Sequence, residues 1–322
     1  MKKRQLLLLW VLIVSNSVVF SQNYQDVDSI VRNYPNEFYN TKDLANLITK
    51  DFIEQDEKAR AIYTWIALNI KYDLQVLINP PDINNYLKKT DEEKEEFKKH
   101  IKDGIAAYLL RKGKGICYEY ATLFKELCKL VELDCQIVRG AGKTGILNLD
   151  SIPNYINHSW NAVKIGNKWK LVDVTWASGY YDEKSKNIIH NFNDFFFFTP
   201  PKIFAQSHFP VDPKWLLTTK TKNSFDESPI LYDTYFQRNL RIKKPKKGII
   251  SKGRNDIIKF VIINSGNDSI SFKFGNEMSI RNTVPKINNE VYVYEIDYRY
   301  TNDTFLTLYV GEKRLARYLI TK

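Results

Sequence analysis

Apolar and polar positions along this chain change period twice. Across residues 43–75 the apolar residues Ala59, Ile62, Tyr63, Ile66, Ala67 and Ile70 recur at i, i+3, i+4 and i+7, the spacing of one helical face. The run ends at Pro80-Pro81, neither of which can continue a helix. Residues 84–112 keep a helical pattern. Their first half is heavily charged, with Glu95, Glu96, Lys98 and Lys99, and predicts a solvated face. Gly113 and Gly115 break that helix. A new amphipathic helix is predicted from about Cys117, with a buried stripe of Cys117, Tyr120, Ala121, Phe124, Leu127, Cys128 and Val131.

From residue 135 the period falls to two. Residues 135–139 read as a strand, and residues 159–165 and 168–174 as two more, joined by the hairpin signal Gly166-Asn167. Helices followed by antiparallel strands predict an α+β domain. Residues 193–221 are rich in Phe, Pro and Trp. Residues 238–254 hold Arg238, Arg241, Lys243, Lys244, Lys246, Lys247, Lys252 and Arg254, which reads as a basic, exposed connector. Beyond residue 256 short alternating segments predict a small β-sandwich-like unit. The expected organisation is an N-terminal segment at 1–21, a mixed domain at 22–222, a basic linker at 223–255 and a β-rich domain at 256–322.

The N-terminal segment joins Lys2, Lys3 and Arg4 to an apolar run, Leu6 to Val14, and ends with small residues at Val19 and Ser21. That layout predicts a secretory signal peptide cleaved before Gln22, and hence a periplasmic or extracellular location. Cleavage would remove three of the charges behind the formal net +11. The remaining basic residues lie on solvated helical faces and in the connector. They fit attraction to anionic envelope polymers better than nucleic acid, which would need a basic stripe with interleaved aromatics. Aromatics make up 14% of the chain, which favours a β-containing core. Three cysteines in an exported protein leave one thiol unpaired or paired outside the chain. A disulfide between Cys128 and Cys135 is conceivable.

Cys117 opens a helix, where the dipole and unpaired N–H groups favour a thiolate and the same N–H groups can receive an oxyanion. Gly115 allows close backbone approach. Pairing the hairpin with Ile165 opposite Lys168 puts Trp160 opposite Asp173 and His158 opposite Thr175. His158 and Asp173 then share a face as diagonal neighbours about 7–8 Å apart. That face also carries Trp160, Ala162, Trp169 and Leu171 and is the natural seat for the Cys117 helix. His100 reads as solvated, and His190 and His208 as loop residues. No spacing suggests a metal site, and no glycine-rich loop suggests a phosphate cofactor.

Gly113-Lys-Gly-Ile-Cys-Tyr-Glu-Tyr-Ala121 resembles the cysteine motif of transglutaminase-like domains. The stretch from His158 to Trp176 resembles their histidine and aspartate motifs, and Lys58 to Tyr72 the helix before them. The segments at 195–201 and 207–215 are similar to the tail of the kyphoscoliosis-peptidase branch. The resemblance implies a papain-like fold with helices on an antiparallel sheet. It implies Cys117 as nucleophile, His158 as general base and acid, and Asp173 as orienter of the imidazole. Peptide or protein substrates and no cofactor go with it. Tyr118-Glu119-Tyr120 departs from the motif, where many relatives have Gly before the Tyr, and that bulk is expected to narrow the cleft. Two readings follow. One is an acyl-transfer enzyme working through a thioester, by peptide or amide hydrolysis or by cross-linking. The other is a binding or assembly module that keeps the fold without turnover.

Overall fold

The computed structural model describes residues 24–78, 90, 104–143, 156–182, 185–238, 240–251, 257–263, 268–275, 277–298 and 302–321. The segment predicted as a signal peptide, His100 and the charged half of the 84–112 helix lie outside these residues.

The described residues begin with helices α1 (Gln25–Val31), α2 (Thr41–Asp51) and α3 (Gln55–Asn69). The continuous helix expected over 43–75 is therefore interrupted. Phe52 takes an extended backbone at φ −128° and ψ 134° and buries its ring, so the chain turns there. Asn40 caps α2, its Oδ1 accepting from the Asp43 amide at 3.0 Å. Helix α3 is buried all round from Ala59 to Ala67, as expected of a helix at the centre of a domain. Asp28 on α1 holds it, accepting from Arg60 at 2.8 and 2.7 Å and from Thr64 Oγ1 at 2.6 Å.

Past Ile70 the chain extends through Lys71–Tyr72 and pairs in parallel with Lys114–Gly115, between α4 (Gly104–Lys112) and α5 (Cys117–Leu130). The Tyr120 hydroxyl donates to the Ile70 carbonyl at 2.6 Å, which fixes α5 against the end of α3. Helix α5 buries Tyr120, Ala121, Leu123, Phe124, Leu127 and Cys128. This is the predicted stripe with Leu123 added, while Cys117 is only half-buried.

Strands β1 (Cys135–Gly142), β2 (His158–Ile165), β3 (Lys168–Val172) and β4 (His208–Pro210) form an antiparallel sheet in the order β3-β2-β1-β4. The β2–β3 hairpin has the expected register, from Ile165 opposite Lys168 to Asn161 opposite Val172. It stops there, short of the expected residue 174, because Asp173 turns the chain into a short helix, α6 (Val174–Ala177). Helix α5 lies on this sheet, and Asn161 Nδ2 donates to the Ala121 carbonyl at 2.9 Å. The fold is α+β, with helices packed on an antiparallel sheet.

The rest of the chain builds two facing sheets from β5 (Arg241–Lys244), β6 (Ile249–Ser251), β7 (Ile257–Ile263), β8 (Ile270–Phe274), β9 (Val291–Asp297), β10 (Thr304–Val310) and β11 (Lys313–Thr321). One contains β5-β7-β9, the other β6-β11-β10-β8. Alternate residues point inward, among them Phe260, Ile262, Tyr294, Ile296, Leu306, Leu308 and Tyr318. The Phe260 and Tyr318 rings meet across the gap at 5.0 Å.

The basic stretch is not a free connector. Strand β5 pairs with β7, β6 runs parallel to β11, and Ile230–Leu231 pairs with Arg317 and Ala316. The sequence reading weighed the charges and missed Ile242 and Ile250, which pack against the core. A second tie is Lys143 at the end of β1. Its buried Nζ donates to the Asp226 and Ser228 carbonyls at 3.1 and 2.6 Å, to Ser228 Oγ at 3.0 Å, and to the Phe225 carbonyl. Among the described residues no helix is long and apolar enough to cross a membrane.

Candidate active site

Helix α5 starts abruptly. Ile116 is extended at φ −109° and ψ 173°, and its amide donates to Glu119 Oε2 at 2.8 Å. Glu119 thus folds back onto the helix start, and of the bulk expected to narrow the cleft it is Tyr118 that lines it. Gly115 makes room for it, since a Cβ there would stand 2.5 Å from both Glu119 Oε2 and Leu109 Cδ1. Cys117 faces a cleft of about 320 Å³ that is also lined by Tyr118, Arg139, Ile156, Asn157, His158 and Ser159.

His158, the first residue of β2, is buried, and its Nε2 donates to Asp173 Oδ2 at 2.7 Å. Asp173 is fully buried. Its Oδ1 accepts from the Thr175 and Trp176 amides at 3.0 and 3.1 Å, capping α6. The carboxylate therefore has a capping oxygen and an imidazole oxygen. Two glycines on β1 let the strands close around this pair. A Cβ on Gly142 would come within 3.0 Å of His158 Cβ, and one on Gly140 would meet Phe209 O at 2.2 Å and Trp160 Cη2 at 2.6 Å.

Burial alone would push the Cys117 thiol up. The hydrogen bond and charge of His158, helped by the Ser159 amide, outweigh it and hold the thiol below its ordinary value. Burial likewise opposes charge on His158, but the Asp173 carboxylate and its hydrogen bond, with Cys117 adding to them, raise the imidazole to about 10. Burial also disfavours the Asp173 anion, and the two imidazoles beside it reverse this, keeping it well below the carboxylate range. Of the predicted set, Cys117 and His158 line one cleft, and Asp173 is hydrogen-bonded to His158; the thiol is lowered and the imidazole raised by each other's presence.

The second imidazole belongs to His208, which is not the loop residue expected. It lies on β4, fully buried, with Nε2 2.9 Å from Asp173 Oδ2 and Nδ1 2.9 Å from Ser207 Oγ. Its ring stacks on Phe204 at 4.0 Å and lies 4.4 Å from Trp176. Burial drives its basicity down to about 4 in spite of Asp173, so it is a neutral ring donating to the carboxylate. His190 is on a short strand, Asn187–His190, and touches the Leu68 carbonyl at 3.0 Å, away from the cleft. The nitrogen and oxygen atoms of His158, Asp173 and His208 lie within 4.8 Å of one another, a set that resembles metal ligands in composition. Here they face each other through hydrogen bonds of ordinary length. Cys128 and Cys135 are free thiols, not the disulfide considered above. Burial and the neighbouring Cys135 keep the Cys128 thiol protonated.

Residues 42–174 match the family model described as the transglutaminase-like superfamily. The chain carries a transglutaminase-like domain. It is similar to proteins of the kyphoscoliosis-peptidase-like branch. Kyphoscoliosis peptidase of Mus musculus is 28% identical over 197 residues, covering 60% of this chain and 27% of its own length. Hillarin of Drosophila melanogaster is 23% identical over 245 residues, covering 70% and 27%. The Lim and transglutaminase domain protein ltd-1 of Caenorhabditis elegans is 25% identical over 222 residues, covering 64% and 27%. The chain thus spans about a quarter of the length of these relatives. A solved TGase superposes on 58% of this chain and 40% of its own at a TM-score of 0.30 and 16% identity, too loose a likeness to bear on the site. The match to the transglutaminase-like domain ends at residue 174, so His208 lies outside it.

Proposed function

We propose that this chain is an exported transglutaminase-like cysteine enzyme that transfers acyl groups through a thioester on Cys117, with hydrolysis of a peptide or side-chain amide as its net reaction. The observation that carries the reading is Cys117 and His158 on one cleft, with Asp173 hydrogen-bonded behind the imidazole at 2.7 Å. In the first step the Cys117 sulfur bonds to the acyl carbon and the C–N bond breaks. The proton held on His158 goes to the leaving amine. Asp173 orients the imidazole and supports its charge. Water then attacks the thioester, its proton passes to His158, and the acid is released with the thiolate restored. An amine in place of water would give cross-linking.

The cleft supports a peptide with an acidic side chain near the scissile bond. Arg139 stands in it beside the half-exposed Tyr118 and Ile156, and no carboxylate of the described residues lines it. Export rests on the basic and apolar N-terminal pattern alone, and docking on anionic envelope polymers on the net positive charge. The test is a peptide library offered to the mature chain and to Cys117→Ala, with products read by mass spectrometry. Cleavage or amine incorporation lost in the variant supports the reading. Equal product from both proteins, or none from either, defeats it and favours a module without turnover.

A further inference from the structure

We propose that His208 is a positioning residue, a permanently neutral second donor that keeps Asp173 ionised and aimed when His158 has given up its proton. The proposal rests on the acyl-transfer reading above, in which His158 alternates between imidazolium and imidazole.

Asp173 Oδ2 is shared, with His158 Nε2 at 2.7 Å and His208 Nε2 at 2.9 Å, while Oδ1 is occupied by the α6 amides. A fully buried carboxylate is costly without compensation. While His158 is an imidazolium, the ion pair supplies that compensation. Once the proton has passed to the leaving amine, the pair is gone and the anion remains. A neutral N–H donor does not lose its proton in the cycle, so its hydrogen bond persists through this step. His208 is built for that task. Ser207 Oγ stands 2.9 Å from Nδ1 and 3.4 Å from the Phe204 carbonyl; with its proton given to the nearer Nδ1, the ring proton is on Nε2 facing Asp173, and the stacked Phe204 ring with Trp176 and Trp160 fixes the ring plane.

Other ionisable groups facing Asp173 act in different ways. Cys117 on α5 sits across His158, and Tyr63 on α3, Tyr72 and Asp233 add only their fields. His208 lowers the acidity range of Asp173 by its hydrogen bond. Removing it leaves Oδ2 held by His158 alone and the carboxylate less firmly aimed, which weakens the imidazolium and with it the thiolate. The acid side of the reactivity profile should therefore move up.

The experiment measures the second-order rate of Cys117 alkylation by iodoacetamide from pH 3 to 10 in the mature full chain. It compares parent, His208→Phe, which keeps the stacked ring without the donor, and His208→Gln, which keeps an N–H. Circular dichroism confirms that each variant is folded. The expected result is an acid limb raised by about one pH unit in His208→Phe, as befits loss of one hydrogen bond to a charged acceptor, and restored at least halfway in His208→Gln. A folded His208→Phe whose limb coincides with the parent's overturns the proposal. So does a His208→Gln as displaced as the phenylalanine variant. A parent whose Cys117 reacts only above pH 8, like a free thiol, overturns the acyl-transfer reading itself.

Discussion

The transglutaminase-like region and the C-terminal sandwich bury different things. The first takes Arg60, Asp73, Lys143, His158, Asp173 and His208 out of water, while the sandwich, among its described residues, fully buries no charged residue and of the polar ones only Ser271 and Thr307. One region holds charges in place with hydrogen bonds. The other stacks alternate Phe, Tyr, Ile and Leu side chains between two sheets. Buried charge is a poor source of stability, and here part of it, the His158–Asp173 pair, sits beside the Cys117 thiol. The sandwich is the part whose packing requires no chemistry.

The largest expected effect that separates the regions is Cys117→Ala. Peptide mapping after brief iodoacetamide treatment at neutral pH should find no fast-labelled site, since Cys128 and Cys135 are buried. Fast labelling at either would mean that the reactive setting is not where the cleft puts it.

Next comes Asp173. In Asp173→Ala both imidazoles lose their acceptor and α6 its cap, so denaturant unfolding should show a loss of about 3–5 kcal/mol. Asp173→Asn should slow Cys117 alkylation about 10–10³-fold, less than in a serine triad, because a thiolate–imidazolium pair depends less on tautomer choice. Parent-like alkylation in both variants would reduce Asp173 to a turn residue.

Phe260→Ala should cost about 3 kcal/mol by leaving a cavity between the sheets, with the Cys117 alkylation rate unchanged. A parallel fall in that rate would show that the regions are not chemically separate. Lys143→Met should cost about 1–3 kcal/mol, because the carbonyls around its Nζ lose their donor. Limited trypsin digestion would then reveal whether the 222–228 segment loosens first.

The last readout is the pH dependence of stability. His158 is raised to about 10, so its contribution is whole below its unfolded value of about 6.5 and is lost as pH rises toward 10. Asp173 is depressed, so its contribution is present above about 3.9 and is lost as pH falls below that. The melting temperature of the parent, measured against His158→Gln, should show its greatest advantage between about pH 4 and 6.5. An advantage that grows toward pH 10 would reverse the assignment of charge.

Much of this was legible in the sequence because the governing pattern is local. The 3.6-residue period from Tyr120 to Cys128 and the Gly166-Asn167 turn set the α5 face and the β2–β3 register without reference to the rest of the chain. Reading stopped where a side chain's partner is remote. Asp173 reads as the next strand residue, but its main chain turns so that Oδ1 can cap α6. His208 sits in Ser-His-Phe-Pro, a loop by composition, and becomes a strand only because Gly140, Ala141 and Gly142 pair with it. The alternate glycines of β1 were the available signal, since they mark where two neighbouring strands crowd the same backbone.

The span of these contacts carries a consequence for the order of events in synthesis. Tyr120 reaches back 50 residues to Ile70, His158 reaches on 15 to Asp173, and Asp173 a further 35 to His208. A growing chain that has emerged only as far as its cysteine motif has the nucleophile but neither the imidazole that ionises it nor the carboxylate behind that imidazole. Cys117 is then an ordinary, mostly protonated thiol. Its electrostatic setting forms only once residues 158–173 are out and folded, so the thiol is least perturbed while the cysteine motif alone has emerged.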